Sequence, residues 1–366
     1  MLPGKTLQEL AAELTRQNSA KQDYLLDTRN LIMDADENGA MLTMMNDQTG
    51  VNTLLGVNEI AHSQIGTALG IPKAYYDKMR EQNPALLAEN VNAWFNNEPK
   101  TRMLRTLTDE ETGVRYARAF LSDRYRRIDN FDLAENVLPI LHDIPGLQYV
   151  SNEITDSRMY IKIVNERLTK EVKPGDYVQS GLIITNSEVG MGTVTIQPLL
   201  YRLVCTNGMV VNDIKAATRR RHIGRGNIAD ENFVLYANDT LLADDHALML
   251  KIRDTIHAAL NEVHFSNLIN NMKQAAEVKI TTTHIPEMVQ LAAPEFGFTK
   301  KEGEGILDHL IRGGDLSMYG FANAVTRYAQ DVRSYDRSTE LEEIGYNILN
   351  MNPRLWNKLQ AAESAA

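Results

Sequence analysis

The chain has 366 residues, 43% of them hydrophobic and 23% charged, with 38 Lys and Arg against 48 Asp and Glu and a formal net charge of -10. That composition excludes a disordered chain and suits one large domain or two ordinary ones. The lone cysteine, Cys205, excludes an intramolecular disulfide and fits a reducing compartment, and no apolar run approaches the roughly 18 residues of a transmembrane helix.

The opening "MLPGKTLQELAAELTRQ" lacks the apolar stretch of a signal peptide, so a cytoplasmic protein is expected. Residues 6–18 read as an amphipathic helix. Thr6 is its N-cap, Glu9 completes a capping box, and Leu7, Leu10, Ala11 and Leu14 form the apolar stripe. Residues 20–56 read as irregular strands and turns, with "ENG" at 37–39 and "QTG" at 48–50 as turn signals. Two helices follow, split at Gly70-Ile71-Pro72. Their Ile65, Gly66, Leu69, Gly70, Ile71, Tyr76 and Met79 satisfy a helix-turn-helix pattern, and Lys73, Lys78 and Arg80 lie on the second helix. Any tight helix pair meets the same requirements, and simple packing is the preferred reading.

Residues 101–108 and 113–121 predict a hairpin across "DEETG", followed by a helix near 131–141 that ends before Pro145-Gly146. In "SRMYIKIV", 157–164, Met159, Ile161 and Ile163 face one way. Arg158, Tyr160 and Lys162 face the other, a basic-aromatic-basic stripe that an exposed strand could offer to a base and its phosphates. "SGLIITNSEVGMGTVTIQPLLYRLVC" reads as two further strands joined by a turn around Glu188–Gly192, giving an antiparallel sheet of five or more strands. From about 239 the pattern becomes helical. One long stretch runs to about 278, and helices follow near 286–293, 299–312, 317–333, 338–350 and 353–363. The expected fold class is α+β: an N-terminal helix (1–20), an α+β region with a largely antiparallel sheet (21–236), and a helical region (237–366) able to pack on the sheet as one unit.

Positive charge is concentrated in two windows. Lys100, Arg102, Arg105, Arg115, Arg118, Arg124, Arg126 and Arg127 stand against Asp109, Glu110, Glu111 and Asp123. Lys215, Arg219, Arg220, Arg221 and Arg225 stand against Asp213 alone, with His222, Gly224 and Gly226 among them. Focused basic charge on an acidic chain is the footprint of a phosphate-bearing partner. Other chemistry is poorly supported. His246, His257 and His264 share the expected helix face but are too far apart to hold one metal. Cys205 with His222 could form a nucleophile-base pair, yet a cysteine ending "LLYRLVC" reads more simply as a small buried hydrophobe, with "TNGM", 206–209, as the turn after it. No phosphate-loop motif or paired acid-base spacing is present, so no catalytic residue, metal or cofactor is expected.

Three stretches, "RAFLSDRYRRIDNFDL" (118–133), "SEVGMGTVTIQPLLYRLVCTNGMVV" followed by "RRRHIG" (187–224), and "NAVTRYAQDVR" (323–333), together resemble the domain-of-unknown-function 932 family of phage, prophage and plasmid proteins. The resemblance spans about 60–340, and Arg202, Val204, Cys205, Asn207 and His222 carry its most specific part. Gly208 departs from it, since many of the family have Asn-Thr there. The setting of that family implies a role in DNA metabolism by association alone. The expected function is nucleic-acid binding, with single-stranded DNA preferred over duplex, in annealing, recombination or protection. Its candidate contacts are Lys215, Arg219, Arg220, Arg221, His222, Arg225, Arg115, Arg118, Arg124, Arg126, Arg127, Arg158, Tyr160 and Lys162, with Tyr116 and Tyr125 as further stacking groups. One alternative is an interaction protein that inhibits or recruits a host DNA enzyme, and another is a nucleic-acid-processing enzyme. A homo-oligomer is compatible with each, and no membrane partner is expected.

Overall fold

The computed structural model describes residues 1–36, 39–45, 52–125, 128–212, 218–220 and 238–362. The chain opens with α1 (Leu7–Ala20), capped by the Thr6–Glu9 box. Then come β1 (Lys21–Asp27), β2 (Leu31–Asp36), β3 (Gly39–Met44) and β4 (Thr53–Val57). Three helices follow: α2 (Glu59–Ala68), α3 (Lys73–Gln82) and α4 (Pro84–Asn97). The strands β5 (Thr101–Thr108) and β6 (Arg115–Ser122) form the expected hairpin. Together these strands make a six-stranded sheet in the order β1-β5-β6-β4-β3-β2, in which only the β4–β6 pairing is parallel.

Helices α2, α3 and α4 cover one face of this first sheet. Ile65, Tyr76, Leu87, Val91 and Phe95 meet Leu31, Met33, Leu42, Leu55 and Leu104 there. The sequence reading left α4 out, although Asn83 as N-cap, Pro84 in the first turn and Leu87-Val91-Phe95 at four-residue spacing are ordinary helix signals. The α2–α3 pair closes with Gly66 against the Tyr76 ring and turns on Gly70 in the left-handed conformation at φ +69°. Two of its basic side chains are engaged within the pair, Lys73 with Asp77 at 2.6 Å and Arg80 with Glu59 at 2.8 Å.

The second sheet begins after α5 (Asn130–His142). Its strands are β7 (Leu147–Ile154), β8 (Met159–Lys173), β9 (Asp176–Asn186), β10 (Val194–Arg202), β11 (Asn207–Val210) and the short β12 (Thr218–Arg220). All its pairings are antiparallel, in the order β11-β10-β9-β8-β7, with β12 also on β10. The remaining helices are α6 (Asn238–Ala259), α7 (Glu262–Glu277), α8 (Ile285–Phe296), α9 (Lys300–Gly313), α10 (Met318–Tyr328), α11 (Tyr335–Leu349) and α12 (Pro353–Gln360). The architecture is α+β, strand-rich in the first two-thirds and helical at the C-terminal end.

Helices cover both faces of the second sheet. On one face, α1, α5 and α6 bring Leu10, Leu14, Leu133, Val137, Ile252 and Ile256 onto Met159, Ile161, Ile163, Leu182, Ile184 and Ile196. On the other, α7, α10 and α11 pack over Val178, Leu200, Met209 and Val211, and Tyr335 closes over Tyr160, Val164 and Ile183. Residues 159–165 of β8 are consequently all buried. The charged member of that row is neutralised internally: Lys162 and Glu342 of α11, both wholly inaccessible, pair at 2.6 Å with the Tyr335 ring 4.7 Å from the ammonium. Burial lowers the Lys162 pKa from its ordinary value, while Glu342 opposes that shift.

The expected long helix after 239 divides into α6 and α7. Asn261 ends it by accepting hydrogen bonds from the Val263 and His264 amides, so His264 does not share a helix with His246 and His257. Cys205 likewise differs from expectation. It lies half-buried in the turn after β10, which Thr206 takes at φ +50°, and Asn207–Val210 is strand, not turn.

Truncating one member of the buried ion pair, by Lys162→Ala or Glu342→Ala, is expected to cost about 3–5 kcal/mol in urea unfolding, and the double change Lys162→Met/Glu342→Leu much less. A second prediction concerns His62, which is buried with Nδ1 3.0 Å from the Tyr76 hydroxyl. Burial, helped by Arg80, lowers its pKa from 6.5 to about 4. As pH falls below 6.5 the unfolded chain takes up a proton that the folded chain refuses until about 4, so stability declines across that window. Unfolding free energies measured against pH should show that decline in the wild type and a shallower one in His62→Gln.

Candidate functional site

The geometry of the site follows from the two edges of β10. One edge pairs with β9. The other is shared, with Leu199–Arg202 on β11 and Val194–Ile196 on β12. The second pairing seats part of the arginine-rich segment, with Arg220 opposite Val194 and Arg219 opposite Thr195. Lys215, Arg221, His222 and Arg225 lie outside the described residues, as do Arg126 and Arg127. The suggested Cys205–His222 pair therefore lies partly outside them too.

The turn between β9 and β10, residues 187–193, receives the other arginine window. The Tyr125 hydroxyl donates to the Ser187 carbonyl at 3.0 Å, and Arg124 is exposed next to it in the chain. From α2, the Gln64 amide donates to the Val189 carbonyl at 2.7 Å and accepts from the Phe120 amide at 2.7 Å. Glu188 anchors the turn. Its carboxylate accepts from Arg118 Nη2 and the Asn130 amide, and its carbonyl accepts from Arg105 Nη1 at 2.8 Å. Arg105 reaches Asp23 and Asp129 as well, at 2.9 and 2.7 Å. Burial would raise the Asp129 pKa, but Arg105 and Lys21 outweigh it and hold the group at about 2.

Several expected contacts are therefore interior groups. Arg118 is buried because the β9–β10 turn lies over its strand, and its guanidinium is engaged by Glu188. Arg115 is half-buried and donates to Gln22 and, at 3.4 Å, to the Tyr24 hydroxyl. The expected exposed stripe on β8 is corrected most. Lys162 and Tyr160 lie under α11, where the Tyr160 hydroxyl donates to Asp336 at 2.9 Å and its ring stands 5.1 Å from that of Tyr335, so neither can reach a solvent-borne base or phosphate. Tyr125 is buried and Tyr116 half-buried. Arg158 and Tyr160 of the stripe both line an opening, but Tyr160 is 1% exposed there, while Arg158 donates to the Met191 carbonyl at 2.7 and 3.2 Å.

That opening is a cleft of about 540 Å³ between β8–β10 and α11. Its sheet side includes Arg158, Tyr160, Thr185, Thr195 and Gln197, and its helix side Asp336, Thr339, Glu340 and Glu343. Sequence reasoning missed this second group. The signal was there, because positions 336, 339, 340 and 343 fall on one helical face, as 193, 195 and 197 fall on one strand face. Among the described residues no cluster of His, Cys, Asp and Glu could hold a metal ion, and no helix is long and apolar enough to cross a membrane.

If Arg118 serves the interior, Arg118→Ala should destabilise the protein by about 3 kcal/mol in urea unfolding, because it leaves the buried Glu188 carboxylate without its cation.

The model of the family described as Domain of unknown function (DUF932) matches residues 118–356. The match starts and ends later than the span of about 60–340 expected from the sequence, and it takes in the second half of β6, the whole second sheet and most of the C-terminal helices. No curated protein and no solved structure matches the chain. With some two-thirds of its length so matched, the chain belongs to the DUF932 family.

Proposed function

We propose that the chain binds the phosphate backbone of nucleic acid, single strands in preference to duplex, beside the β9–β10 turn. The observation that carries this reading is the meeting of both arginine windows at that turn: Tyr125 bonds to Ser187 at one end, and Arg220 pairs with Val194 at the other. The contacts would come from Arg124, Arg126 and Arg127 on one side and from Lys215, Arg219, Arg220, Arg221, His222 and Arg225 on the other. Arg118, Tyr160 and Lys162 drop out of the interface because they are buried. A run of adjacent arginines suits a run of phosphates better than one compact anion. The acidic remainder of the chain, which brings the net charge to -10, would restrict contact to this end of the sheet. A part in annealing, recombination or protection of DNA is the extension of this reading suggested by the phage and plasmid setting of the family.

Fluorescence anisotropy with labelled single-stranded and double-stranded oligonucleotides, at low and moderate salt, tests it. Binding should weaken steeply with salt. The triple changes Arg219→Ala/Arg220→Ala/Arg221→Ala and Arg124→Ala/Arg126→Ala/Arg127→Ala should each lower the single-strand log–log salt slope by about 2. Salt-independent binding, or triple variants that bind like the wild type, would remove this function. Complete absence of binding would shift the reading to a protein partner.

A further inference from the structure

We propose that a second cavity, between the first sheet and helices α2 and α4, binds a single nucleotide, its base against Trp94 and its phosphate on Lys100 and Arg102. The cavity holds about 300 Å³, at the small end of the range of roughly 300–1,000 Å³ typical of small-molecule sites. It lies where the C-terminal ends of α2 and α4 meet the start of β5. Its floor is formed by the buried Phe95 and Phe120, with ring centres 5.9 Å apart, and Trp94, Glu98, Lys100 and Arg102 stand around it.

The fold leaves an aromatic surface and two cations unclaimed there. Phe95 is fully buried, yet Trp94 beside it in the chain is 41% exposed. A half-exposed indole on a cavity wall is a stacking surface that suits any base, because every base has a π-face. Arg102 is partly exposed, with its guanidinium carbon 5.7 Å from the centre of the Phe120 ring, and among the described residues it makes no ion pair and no side-chain hydrogen bond. Other arginines of the same window are claimed, Arg105 by Asp23 and Asp129 and Arg118 by Glu188. Lys100 has an exposed side chain 3.9 Å from the equally exposed Glu98, a loose surface pair of little energetic weight. The Lys100 backbone is nonetheless fixed: its amide donates to Thr28 Oγ1 at 3.1 Å, and that hydroxyl donates to the Phe95 carbonyl of α4 at 3.0 Å. Two cations against one loosely held acid, beside an aromatic wall, match a ligand that carries an anion on one end and a flat ring on the other.

The nucleotide has two sources, free in solution or as one unit of a strand. The strand source rests on the phosphate-backbone reading above. Arg102 lies opposite Ser122 in the β5–β6 register and Arg124 follows Ser122 by two residues, so the cavity adjoins one of the arginine windows. A base lodged in it has left its stack, which costs a single strand less than a duplex.

Intrinsic fluorescence of the full chain tests the assignment. The chain has two tryptophans, and Trp356 is buried, so Trp94→Phe supplies the Trp356 background. The probes are deoxyadenosine monophosphate, deoxyadenosine, deoxyribose phosphate, a short oligodeoxyadenylate and an abasic strand of equal length. Deoxyadenosine monophosphate should quench Trp94 and bind about tenfold or more tightly than deoxyadenosine or deoxyribose phosphate, each of which lacks half of the ligand. Arg102→Gln should weaken it about tenfold. Should that variant fail to fold, Lys100→Gln, altered at an exposed position, must still weaken it. Quenching by the oligodeoxyadenylate, with the abasic strand bound but silent, supports the strand source. Quenching by the mononucleotide with no strand binding supports the free source and removes the phosphate-backbone reading alone. Salt-sensitive strand binding without quenching by either adenylate would overturn the cavity's role and leave the backbone reading standing. Quenching by deoxyribose phosphate as strong as by the mononucleotide, or unchanged affinity in both variants, would overturn it as well.

Discussion

A fully buried ion pair, Lys162 to Glu342, joins the second sheet to the C-terminal helices. It exists because that sheet is covered on both faces. A strand in this position has no solvent side, so a charge on it needs a partner supplied by the covering layer. Glu342 is that partner, and its place on α11 fixes the azimuth at which the helix lies. With Glu342 over Lys162, Tyr335 reaches Tyr160 and Val164, and Thr339 faces the sheet. The cleft is the space left where α11 and the sheet diverge from this contact.

The same constraint recurs at the junction of the two sheets. Arg105 and Arg118 are interior cations, and each is answered from the turn that follows β9 or from the segment leading into α5. Arg202 at the end of β10 is answered by Asp176 at 2.6 Å, and Tyr319 donates to the other Asp176 oxygen at 2.9 Å. Much of the basic charge that looks available along the chain is therefore structural.

The sequence made the element types legible where local chemistry decides them. The Thr6–Glu9 capping box, the 101–121 hairpin and the strand-then-helix order all correspond to the fold. What it left hidden was burial. "SRMYIKIV" alternates like a strand with one wet face, and period alone cannot tell solvent from a helix that brings a carboxylate. The neighbouring strands held the missing information: Leu182-Ile183-Ile184 is an unbroken apolar run, the mark of a strand packed on two sides. The cleft was hidden for a related reason. Its walls lie about 140 residues apart in sequence, at Gln197 and Thr339, so each wall shows only a short polar face until the fold brings the two together.

The anchoring of Glu188 also separates two boundaries that are easily equated. The family match starts at Arg118, in the middle of β6, yet Arg118 sits in a sheet whose neighbouring strands, β4 and β5, precede that point. Through Glu188, Arg105 and Gln64, those earlier residues hold the turn on which both arginine windows converge. A fragment cut at the family boundary would expose both edges of β6 and strip two of the turn's supports. Residues ahead of the family boundary thus supply part of the support for a turn that lies beyond it.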